Sequence, residues 1–364
     1  MAQKSMAEIW KQLEKQHGEE GLFVGSNDNY SYSDSISTGS IALDDALGIW
    51  GIPKGHVVQY SGFPSSGKTL LSYTTIAEWQ KKDTKNWAMF IDAEYSYDQQ
   101  WAKSLGVDTD RLYVYKENSG KEIFDRLVGV QNKGSTGKAK KGVLDLEIEM
   151  SGTGLGVIVL DSIAAMQPPV EEASLVDGQD MAAMARFLPK ALRRLTPMLS
   201  ATGIVFIAIN QIRMKPGVMY GNPEESPGGT ALKHACSQMI NLAKMSGKDS
   251  KIEEGKEQIG HHVRAKVDKN KKSAPFRTAE FAIEYLRGIV NRNEEVLELG
   301  VRYGVILRPN NRTYELDDVK YNGKDTLIEA LKDLSLQESV ITRSKEARAN
   351  NVKVSALIEE ENEE

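Results

Sequence analysis

Gly62-Phe63-Pro64-Ser65-Ser66-Gly67-Lys68-Thr69 fits the pattern G-x-x-x-x-G-K-[ST] at every constrained position. An apolar segment, His56–Tyr60, precedes it, and a helical pattern over Leu70–Trp79 follows. Glycines let a backbone wrap a phosphate group, and the N–H groups of such a loop and of the helix start point at the anion. This context makes a chance match in a Gly/Ser-rich turn the weaker interpretation. We predict a phosphate-binding loop in which Lys68 reaches the β- and γ-phosphates and the Thr69 hydroxyl takes a Mg²⁺ position.

Short apolar segments alternate with helical patterns along the chain on both sides of this loop. The buried-strand candidates, each short and mostly β-branched, are His56–Tyr60, Ala88–Asp92, Leu112–Tyr115, Val157–Asp161 and Ile204–Ile209. Strands of this kind are typical of a doubly wound, mostly parallel α/β sheet whose two faces are both covered by helices. Two later segments, His262–Val267 and Phe281–Tyr285, alternate in polarity and predict antiparallel strands at one edge of that sheet.

The composition is that of a globular protein, with 40% hydrophobic and 27% charged residues. No apolar run reaches the roughly eighteen residues of a membrane span, and the first residues lack the apolar stretch of a signal peptide. The single cysteine, Cys236, excludes an internal disulfide framework and fits a reducing compartment, so we expect a cytoplasmic protein with no membrane partner. The formal net charge of −5 does not by itself indicate nucleic acid, because phosphate binding depends on where cations cluster.

Two acidic residues lie at the carboxyl ends of predicted strands: Asp161 is the last residue of one, and Glu94 follows another. Val157–Asp161 consists of four apolar residues and an acid, so Asp161 is expected to hold Mg²⁺ through water beside Thr69. The strand Ala88–Asp92 leads to Glu94, which then lies at the carboxyl edge of the sheet near a γ-phosphate. A carboxylate there can orient and polarise an attacking water. The spacing alone is equally compatible with Glu94 being a surface acid.

Three stretches are predicted to be loops or disordered. Residues 131–154 carry glycines, a Lys-rich run and an acidic run where a short connection would suffice, which indicates an inserted surface loop. Residues 246–260 are similarly polar. The acidic end, Glu359–Glu364, is predicted to be a disordered tail.

Several further segments are specific enough to indicate a family. The chain resembles the bacterial RecA recombinases over roughly residues 6 to 310. It has their phosphate loop and also the long segment Asn210–Glu224, which is the most specific part of the resemblance. The segments that carry the resemblance are Ile36–Gly48, Phe63–Thr69, Phe90–Glu94, Leu105–Asp108, Asn210–Glu224, Gly228–Lys233, Lys269–Lys271 and Ala274–Phe276. The resemblance implies a RecA-type P-loop NTPase core with an N-terminal helical arm and a small C-terminal domain.

The resemblance also implies roles for single residues of the ATPase site. Glu94 matches the family's catalytic carboxylate, and Gln211 matches the glutamine that senses the γ-phosphate and begins the second DNA-binding loop. Lys269 and Lys271 match lysines that reach the nucleotide held by the neighbouring protomer. Trp101 stands where the family has a tyrosine stacked on adenine. With Asp98, an acid near the base, the predicted nucleotide site comprises Gly62, Ser65, Ser66, Gly67, Lys68, Thr69, Leu70, Asp98, Trp101 and Asp161.

A DNA-facing surface is predicted from charge and from the resemblance together. Four cations, Arg186, Lys190, Arg193 and Arg194, recur at i, i+4, i+7 and i+8 and share one helical face. From spacing alone a solvated face would be preferred; the resemblance favours a phosphate track. Met181 matches a residue that wedges between bases beside the first DNA loop, at about residues 168–180. The predicted DNA-binding residues are Met181, Arg186, Arg193, Arg213, Lys215, Gly228, Gly229 and Lys266.

The chain also departs from the family pattern. Pro216 replaces the usual aliphatic wedge, and Glu224–Pro227 is more acidic and stiffer than the usual run. Pro189 and Pro197 lie inside the DNA-facing helix and are expected to kink or break it. Together with the insertion at 131–154, these departures indicate a divergent branch, bacterial or phage-encoded.

The resemblance implies an ATP-dependent recombinase with ATP and Mg²⁺ as cofactors. Its expected partners are single-stranded DNA, homologous duplex DNA, further copies of itself in a head-to-tail filament, and single-strand-binding and mediator proteins. We predict an oligomerisation arm at 1–35, the ATPase core at 36–287, a small α/β domain at 288–333, and a C-terminal segment with an acidic tail at 334–364. Two alternatives share this core. A ring-forming helicase or packaging motor is disfavoured by the candidate trans cations Lys269 and Lys271. A regulatory filament without strand exchange is disfavoured by the intact Glu94 and Gln211 and by the two DNA loops.

Overall fold

The computed structural model describes residues 34–130, 139–150, 152–169, 179–214, 224–225, 228–247 and 250–363, with the backbone alone at 179–182, 213–214, 224–225 and 351–363. Residues 35–364 form one compact unit. Of the N-terminal arm predicted at 1–35, residues 1–33 lie outside the described residues, and Ser35 begins β1.

The strands and helices alternate over most of this unit. In chain order the strands are β1 Ser35–Ile36, β2 Ile52–Pro53, β3 Val57–Gly62, β4 Trp87–Asp92, β5 Leu112–Lys116, β6 Leu155–Asp161, β7 Val205–Gln211, β8 Arg213–Met214, β9 Glu224–Glu225, β10 Gln238–Lys244, β11 Lys251–Glu254, β12 Glu257–Asn270, β13 Thr278–Glu284, β14 Gly288–Ile289, β15 Thr313–Leu316 and β16 Val319–Asn322. The α-helices of the described residues are α1 Ile41–Leu47, α2 Lys68–Lys82, α3 Gln99–Ser104, α4 Gly120–Val128, α5 Val143–Met150, α6 Gln179–Thr202, α7 Gly229–Ala235, α8 Arg292–Arg302, α9 Lys324–Ala330 and α10 Leu334–Glu363. The same residues include the 3₁₀ turns Thr109–Arg111 and Ile163–Ala165.

A ten-stranded sheet with the order β14-β13-β12-β10-β3-β7-β6-β4-β5, to which β11 adds beside β12, organises the fold. The strands from β10 to β5 are parallel, and β12, β13 and β14 extend the sheet with antiparallel pairs. Every residue of β3 is buried, because both faces of the central strands are covered. The predicted doubly wound α/β sheet with antiparallel edge strands is confirmed. The five predicted core strands are present to within two residues at their starts, whereas β12 and β13 begin five and three residues before the predicted edge strands.

Each face of the sheet is covered by its own apolar cluster. One face packs α1, α2 and the alternate residues Val263, Ala265 and Val267 of β12 into a single core. The other face carries α4, α5, α6 and α7. Since successive side chains of a strand point to opposite faces, Arg264 and Lys266 of β12 lie on the same face as α6 and α7.

The helix α6 is continuous through both of its prolines, so the predicted break is wrong. A proline inside a helix removes one N–H donor and crowds the carbonyl four residues earlier. The apolar face of α6 is nevertheless fully buried at Leu188, Leu195 and Leu199. Tertiary packing along 24 residues therefore holds Pro189 and Pro197 within one helix.

Two predicted loops contain regular structure. Within residues 131–154, which were expected to form a surface loop, Val143–Met150 folds as α5, with Leu144 buried in the core and the Asp145 carboxylate accepting a hydrogen bond from the Gly142 N–H at 2.9 Å. Within residues 246–260, β11 pairs with the start of β12 as an antiparallel hairpin. Core packing of Leu144 in the first segment and strand pairing in the second therefore produce regular structure where the polar composition predicted loops.

The C-terminal elements form a third core that includes Ile41 of α1 together with residues of α8, β15, α9 and α10. Asp45 of α1 anchors these elements, because it pairs with Arg302 at 2.6 Å and with Arg348 of α10. The helix α10 continues to Glu363. The acidic end was predicted to be a disordered tail, and its backbone through Glu363 is assigned to this helix.

Candidate functional site

The phosphate-binding loop connects β3 to α2 at the carboxyl edge of the sheet. Gly62 has no room for a side chain, since a Cβ there would lie 2.3 Å from Leu242 O and 2.5 Å from Ser66 Oγ. Gly67 adopts φ = 95° immediately before α2, a conformation that favours glycine. Ser66 Oγ is buried and has no hydrogen-bond partner within the described residues. A buried hydroxyl without a partner inside a loop of backbone N–H groups fits a phosphate oxygen.

Lys68 is the first residue of α2, and its side chain folds back over the loop. Its Nζ donates to Phe63 O at 2.9 Å, and the residue is only 7% exposed. Burial lowers the pKa of Lys68, and the nearby carboxylates of Asp161 and Glu94 oppose that shift. A buried ammonium within the loop is well placed to bind a polyphosphate anion.

Thr69 and Asp161 meet as the sequence predicts. The Thr69 hydroxyl donates to Asp161 Oδ2 at 2.7 Å, which joins the start of α2 to the end of β6. Burial raises the pKa of Asp161 to about 6; the hydrogen bond from Thr69 opposes the shift, and Glu94 adds to it. A buried carboxylate beside a hydroxyl and a second acid fits a hydrated divalent cation, which would stabilise the ionised form.

Glu94 lies just beyond the end of β4, on the exposed side of this cluster. Its Oε1 accepts a hydrogen bond from the Ser162 hydroxyl at 2.5 Å and another from Gln211 Nε2 at 3.1 Å. The three residues follow or end the neighbouring strands β4, β6 and β7, whose carboxyl ends meet at one edge. The structure therefore brings together Lys68, Thr69, Asp161, Glu94 and Gln211; Ser162 was missed by the sequence analysis.

Trp101 and Asp98 lie together at the start of α3. Asp98 is the N-cap, and its Oδ1 accepts a hydrogen bond from the Trp101 backbone N–H at 2.8 Å. The indole Nε1–H of Trp101 donates to Tyr285 O at 2.7 Å, and its ring meets Tyr73 edge-on with the centroids 5.3 Å apart. Tyr285, just after β13, is a neighbour of the predicted base site that the sequence analysis did not select, and no local pattern marks it.

Lys269 and Lys271 lie at the opposite edge of the sheet from the phosphate loop. Lys269 Nζ donates to Lys233 O, and Lys271 Nζ donates to His234 O at 3.2 Å, so both hold carbonyls in the last turn of α7. The backbone of Lys271 is linked through Ser237 to Val57, the first residue of β3. The phosphate loop follows the last residue of β3, about 16 Å further along the strand. Within one chain the structure does not bring these lysines to the phosphate loop.

Comparison with known proteins identifies the family. The RecA N-terminal domain family matches residues 4–290. The chain belongs to the RecA family. Protein RecA of Rickettsia bellii (strain RML369-C) is 36% identical over 359 residues, which cover 96% of this chain and 95% of the relative. Protein RecA of Clostridium acetobutylicum is 38% identical over 306 residues, 83% of this chain and 79% of the relative. For protein RecA of Acidothermus cellulolyticus the identity is 37% over 334 residues, 90% and 88% of the two chains.

Membership of the RecA family makes this chain a recombinase of homologous recombination and repair and a DNA-dependent ATPase. Proteins of the RecA family bind nucleotide and DNA and associate with copies of themselves. Among the described residues, none of the helices combines the length and the apolar content needed to cross a bilayer.

The helix α6 carries the basic face predicted for DNA. Arg186, Lys190 and Arg193 are exposed. Arg194 differs, because its Nη2 donates to Val128 O at 2.8 Å and to Gly129 O at 3.1 Å. A guanidinium on the last carbonyls of α4 stabilises the end of that helix. All four predicted cations are therefore exposed, and Arg194 also has a structural contact with the end of α4.

The remaining predicted DNA residues are only partly described. Gly228 adopts φ = 88° directly before α7, and a Cβ there would lie 3.0 Å from Leu188 Cδ2 of α6. The end of the second predicted DNA loop thus packs on the helix that follows the first. Lys266 is exposed on the α6 face of the sheet and pairs with Asp268 at 3.0 Å. Lys215 and the side chains of Met181 and Arg213 lie outside the described residues, while Gly229 begins α7.

Proposed function

We propose that this RecA-family chain binds ATP and Mg²⁺ between adjacent protomers of a head-to-tail filament on single-stranded DNA, where it pairs homologous duplex DNA and exchanges strands. Hydrolysis through Glu94 then loosens the filament. The observation that carries the proposal is the convergence at one sheet edge of a buried Lys68, the Thr69–Asp161 pair and the Gln211–Glu94 pair. Triphosphate binding, metal binding and water activation each need one of these three elements.

The nucleotide assignment rests on the chemistry of the loop. Ser66 offers a buried hydroxyl without a partner in the described residues, and Lys68 offers a buried cation. Mg²⁺, when bound, neutralises charge on the β- and γ-phosphate oxygens, and Thr69 and Asp161 are the residues that would hold it. The proposed nucleotide site comprises Gly62, Ser65, Ser66, Gly67, Lys68, Thr69, Leu70, Asp98, Trp101 and Asp161.

Glu94 is the proposed base that orients and polarises the attacking water. Its carboxylate is exposed at the edge of the sheet, whereas its oxygen Oε1 is held by two donors. Gln211 is the proposed link between this carboxylate and DNA, because it ends β7 and the second DNA loop follows it.

Lys269 and Lys271 are proposed to complete the site of the neighbouring protomer. Two observations support this role: the lysines lie at the edge of the sheet remote from their own phosphate loop, and both are held together on the end of α7. A heterologous head-to-tail contact brings opposite faces of successive copies together. Positive charge from the next protomer would then offset the charge that develops on the transferred phosphoryl group.

The proposed DNA surface runs along α6 and the ends of both loops. It comprises Met181, Arg186, Arg193, Arg213, Lys215, Gly228, Gly229 and Lys266. The exposed cations of α6 and the contact of Gly228 with Leu188 support one continuous track. We expect these residues to hold the phosphate backbone, while base pairing supplies sequence specificity.

The proposed division of the chain follows from the same function. Residues 1–35 form the arm that packs on the next protomer, 36–287 the ATPase core, 288–333 a small α/β domain, and 334–364 the segment with the acidic tail. Single-strand-binding and mediator proteins are the proposed further partners, in the cytoplasm of a bacterial cell or of the host of a phage.

Electron microscopy tests this function directly. The protein is mixed with single-stranded DNA and a non-hydrolysable ATP analogue, and Lys68→Ala serves as the nucleotide-free control. We expect helical filaments with wild-type protein and none with the variant. Closed rings would instead indicate a helicase or packaging motor. Filaments without strand exchange between homologous DNAs would indicate a regulatory filament.

A further inference from the structure

Ser162 occupies an unusual position for its side chain. It follows the last residue of β6, is 0% exposed, and is the N-cap of the 3₁₀ turn Ile163–Ala165. A serine at an N-cap usually accepts a hydrogen bond from the backbone of the helix that it precedes. Here the side chain makes no such bond, and the hydroxyl donates to Glu94 Oε1 at 2.5 Å instead.

Glu94 is fixed to the end of β6 through its backbone as well. The N–H groups of Ala93 and Glu94 donate to Asp161 O at 2.8 Å and 3.2 Å. The Ser162 hydroxyl holds the carboxylate of Glu94. Asp161 and Ser162 therefore contact both the backbone and the carboxylate of Glu94. Within the described part of the chain, both hydrogen bonds to the carboxylate go to Oε1, and Oε2 receives none.

We infer that Ser162 is a positioning residue for ATP hydrolysis: it fixes Oε1 of Glu94 so that Oε2 is directed at the attacking water. This inference rests on the proposed function, in which Glu94 is the base. An exposed glutamate has several rotamers, and holding it in one conformation has an entropic cost that a short, charge-assisted O–H···O⁻ bond offsets. A misplacement of about 1 Å in a reacting group costs about 100-fold in rate.

Ser162 and Gln211 hold the same oxygen but differ in what supports them. Ser162 is buried at the end of a central strand, whereas Gln211 ends β7 immediately before the second DNA loop. We therefore assign the permanent contact to Ser162 and the DNA-dependent contact to Gln211. The competing explanation is that the Ser162 hydroxyl only satisfies its own buried polarity, in which case its removal changes stability without a specific effect on hydrolysis.

A double-mutant cycle separates the two explanations. Single-turnover ATP hydrolysis with saturating DNA is measured for wild type, Ser162→Ala, Glu94→Ala and the double variant. We expect Ser162→Ala to lower the hydrolysis rate roughly 10- to 100-fold in the wild-type background, with the KM for ATP changed less than about twofold. In the Glu94→Ala background the same change should lower the rate by less than about twofold, because the group being positioned is gone.

Ser344→Ala is the matched control, since Ser344 is also a buried serine and lies on α10. We expect its hydrolysis rate to equal that of wild type. Binding of a labelled ATP analogue and the midpoint of thermal unfolding check that each variant folds. Equal losses from Ser162→Ala in both backgrounds, or a near-normal rate in the wild-type background, would overturn the inference while leaving Glu94 as the base. Full activity of Glu94→Ala would overturn both the inference and the proposed base.

Discussion

Gln211 Nε2 donates a hydrogen bond to Glu94 Oε1 across 3.1 Å, which joins two residues that are 117 positions apart in the chain. Gln211 ends β7, and the proposed second DNA loop begins there. Glu94 is the proposed base at the end of β4. A single amide therefore connects the segment that would contact DNA to the carboxylate that would act on water, with no intervening side chain.

Replacing Gln211 tests this connection. We expect Gln211→Ala to lower DNA-stimulated ATP hydrolysis roughly 10-fold, because ordering of the DNA loop can no longer act on Glu94. Hydrolysis without DNA and the affinity for ATP should change less than about twofold. Gln211→Asn keeps the amide but shortens the side chain by one methylene, so it should behave like alanine. A DNA-stimulated rate within twofold of wild type in both variants would contradict a role for this contact.

The sequence was sufficient to predict the core of this arrangement. The motif at 62–69 and the acid that ends Val157–Asp161 predict that Thr69 and Asp161 meet, and their side chains do so at 2.7 Å. These predictions succeed because a phosphate loop and the carboxyl ends of parallel strands have a fixed spatial relationship. The contacts of Ser162 and Tyr285 could not be predicted in this way, since each depends on a partner distant in sequence and has no local pattern.

The incorrect predictions have physical causes of the same kind. The segment Val143–Met150 alternates apolar and acidic residues, yet it is helical because Leu144 packs into the core beside α4 and α6. Pro189 lowers helix propensity locally, but the buried apolar face of α6 outweighs it. Long-range burial decides both structures, and a propensity summed over neighbouring residues does not contain that information.

Lys68→Ala tests the phosphate loop. We expect loss of ATP binding by at least about 100-fold and loss of ATP-dependent DNA binding, because the cation for the β- and γ-phosphates is removed. The fold should be retained, since burying the ammonium group of Lys68 has a desolvation cost that alanine avoids. Lys81→Ala is a suitable control: Lys81 is exposed on the same helix and pairs with Glu78 at 2.6 Å. Near-normal strand exchange by Lys68→Ala would exclude the assigned loop.

Trp101 tests the proposed base site. Stacking on adenine is worth about 1 kcal/mol beyond burial, so Trp101→Ala should raise the KM for ATP about fivefold. Trp101→Phe keeps an aromatic face and should raise it less. The chain has five tryptophans, and the fluorescence change on adding ATP should vanish in Trp101→Phe. It should persist in Trp87→Phe, whose ring stacks on Tyr113 with the centroids 5.0 Å apart. An unchanged KM in Trp101→Ala would remove the stacking role.

Glu295 predicts a pH-dependent stability. It is 3% exposed, its Oε2 accepts hydrogen bonds from Ser40 Oγ at 2.7 Å and Ala42 N at 2.9 Å, and its Oε1 has no partner among the described residues. Burial raises the pKa of Glu295 from 4.5 to about 7; both hydrogen bonds oppose the shift, and Asp44 adds to it. The native state then holds a proton that the unfolded chain releases, so the contribution of Glu295 to stability is fully present below pH 4.5 and is lost as the pH rises to about 7.

Chemical denaturation at pH 5 and pH 8 measures this effect. We expect the free energy of unfolding of wild type to fall by on the order of 1–3 kcal/mol over that interval. Glu295→Gln cannot ionise, so its decline should be clearly smaller. The exposed Glu298 on the same helix supplies the control, and Glu298→Gln should follow wild type. Identical pH profiles for wild type and Glu295→Gln would show that this carboxyl does not carry the dependence.

A site shared between protomers predicts that two inactive variants restore each other. Glu94→Gln removes the proposed base from the nucleotide face, and Lys271→Ala removes a cation from the opposite face. Each pure protein should lack DNA-stimulated hydrolysis, because every junction contains one defective half. In an equal mixture that assembles at random, a junction is intact when a Lys271→Ala protomer supplies Glu94 and a Glu94→Gln protomer supplies Lys271. This arrangement arises at about a quarter of junctions, since head-to-tail contacts are heterologous.

Hydrolysis by the mixture should therefore return to roughly a quarter of the wild-type rate, provided that the junctions act independently. Mixing Glu94→Gln with the double variant Glu94→Gln/Lys271→Ala gives filaments without any intact junction and should stay inactive. Co-assembly is verified by labelling the two variants with different fluorophores and measuring energy transfer on single-stranded DNA. An inactive mixture in spite of verified co-assembly would mean that the lysines act within their own chain or not at all. That outcome would conflict with their place beside Val57, at the other end of β3 from the phosphate loop.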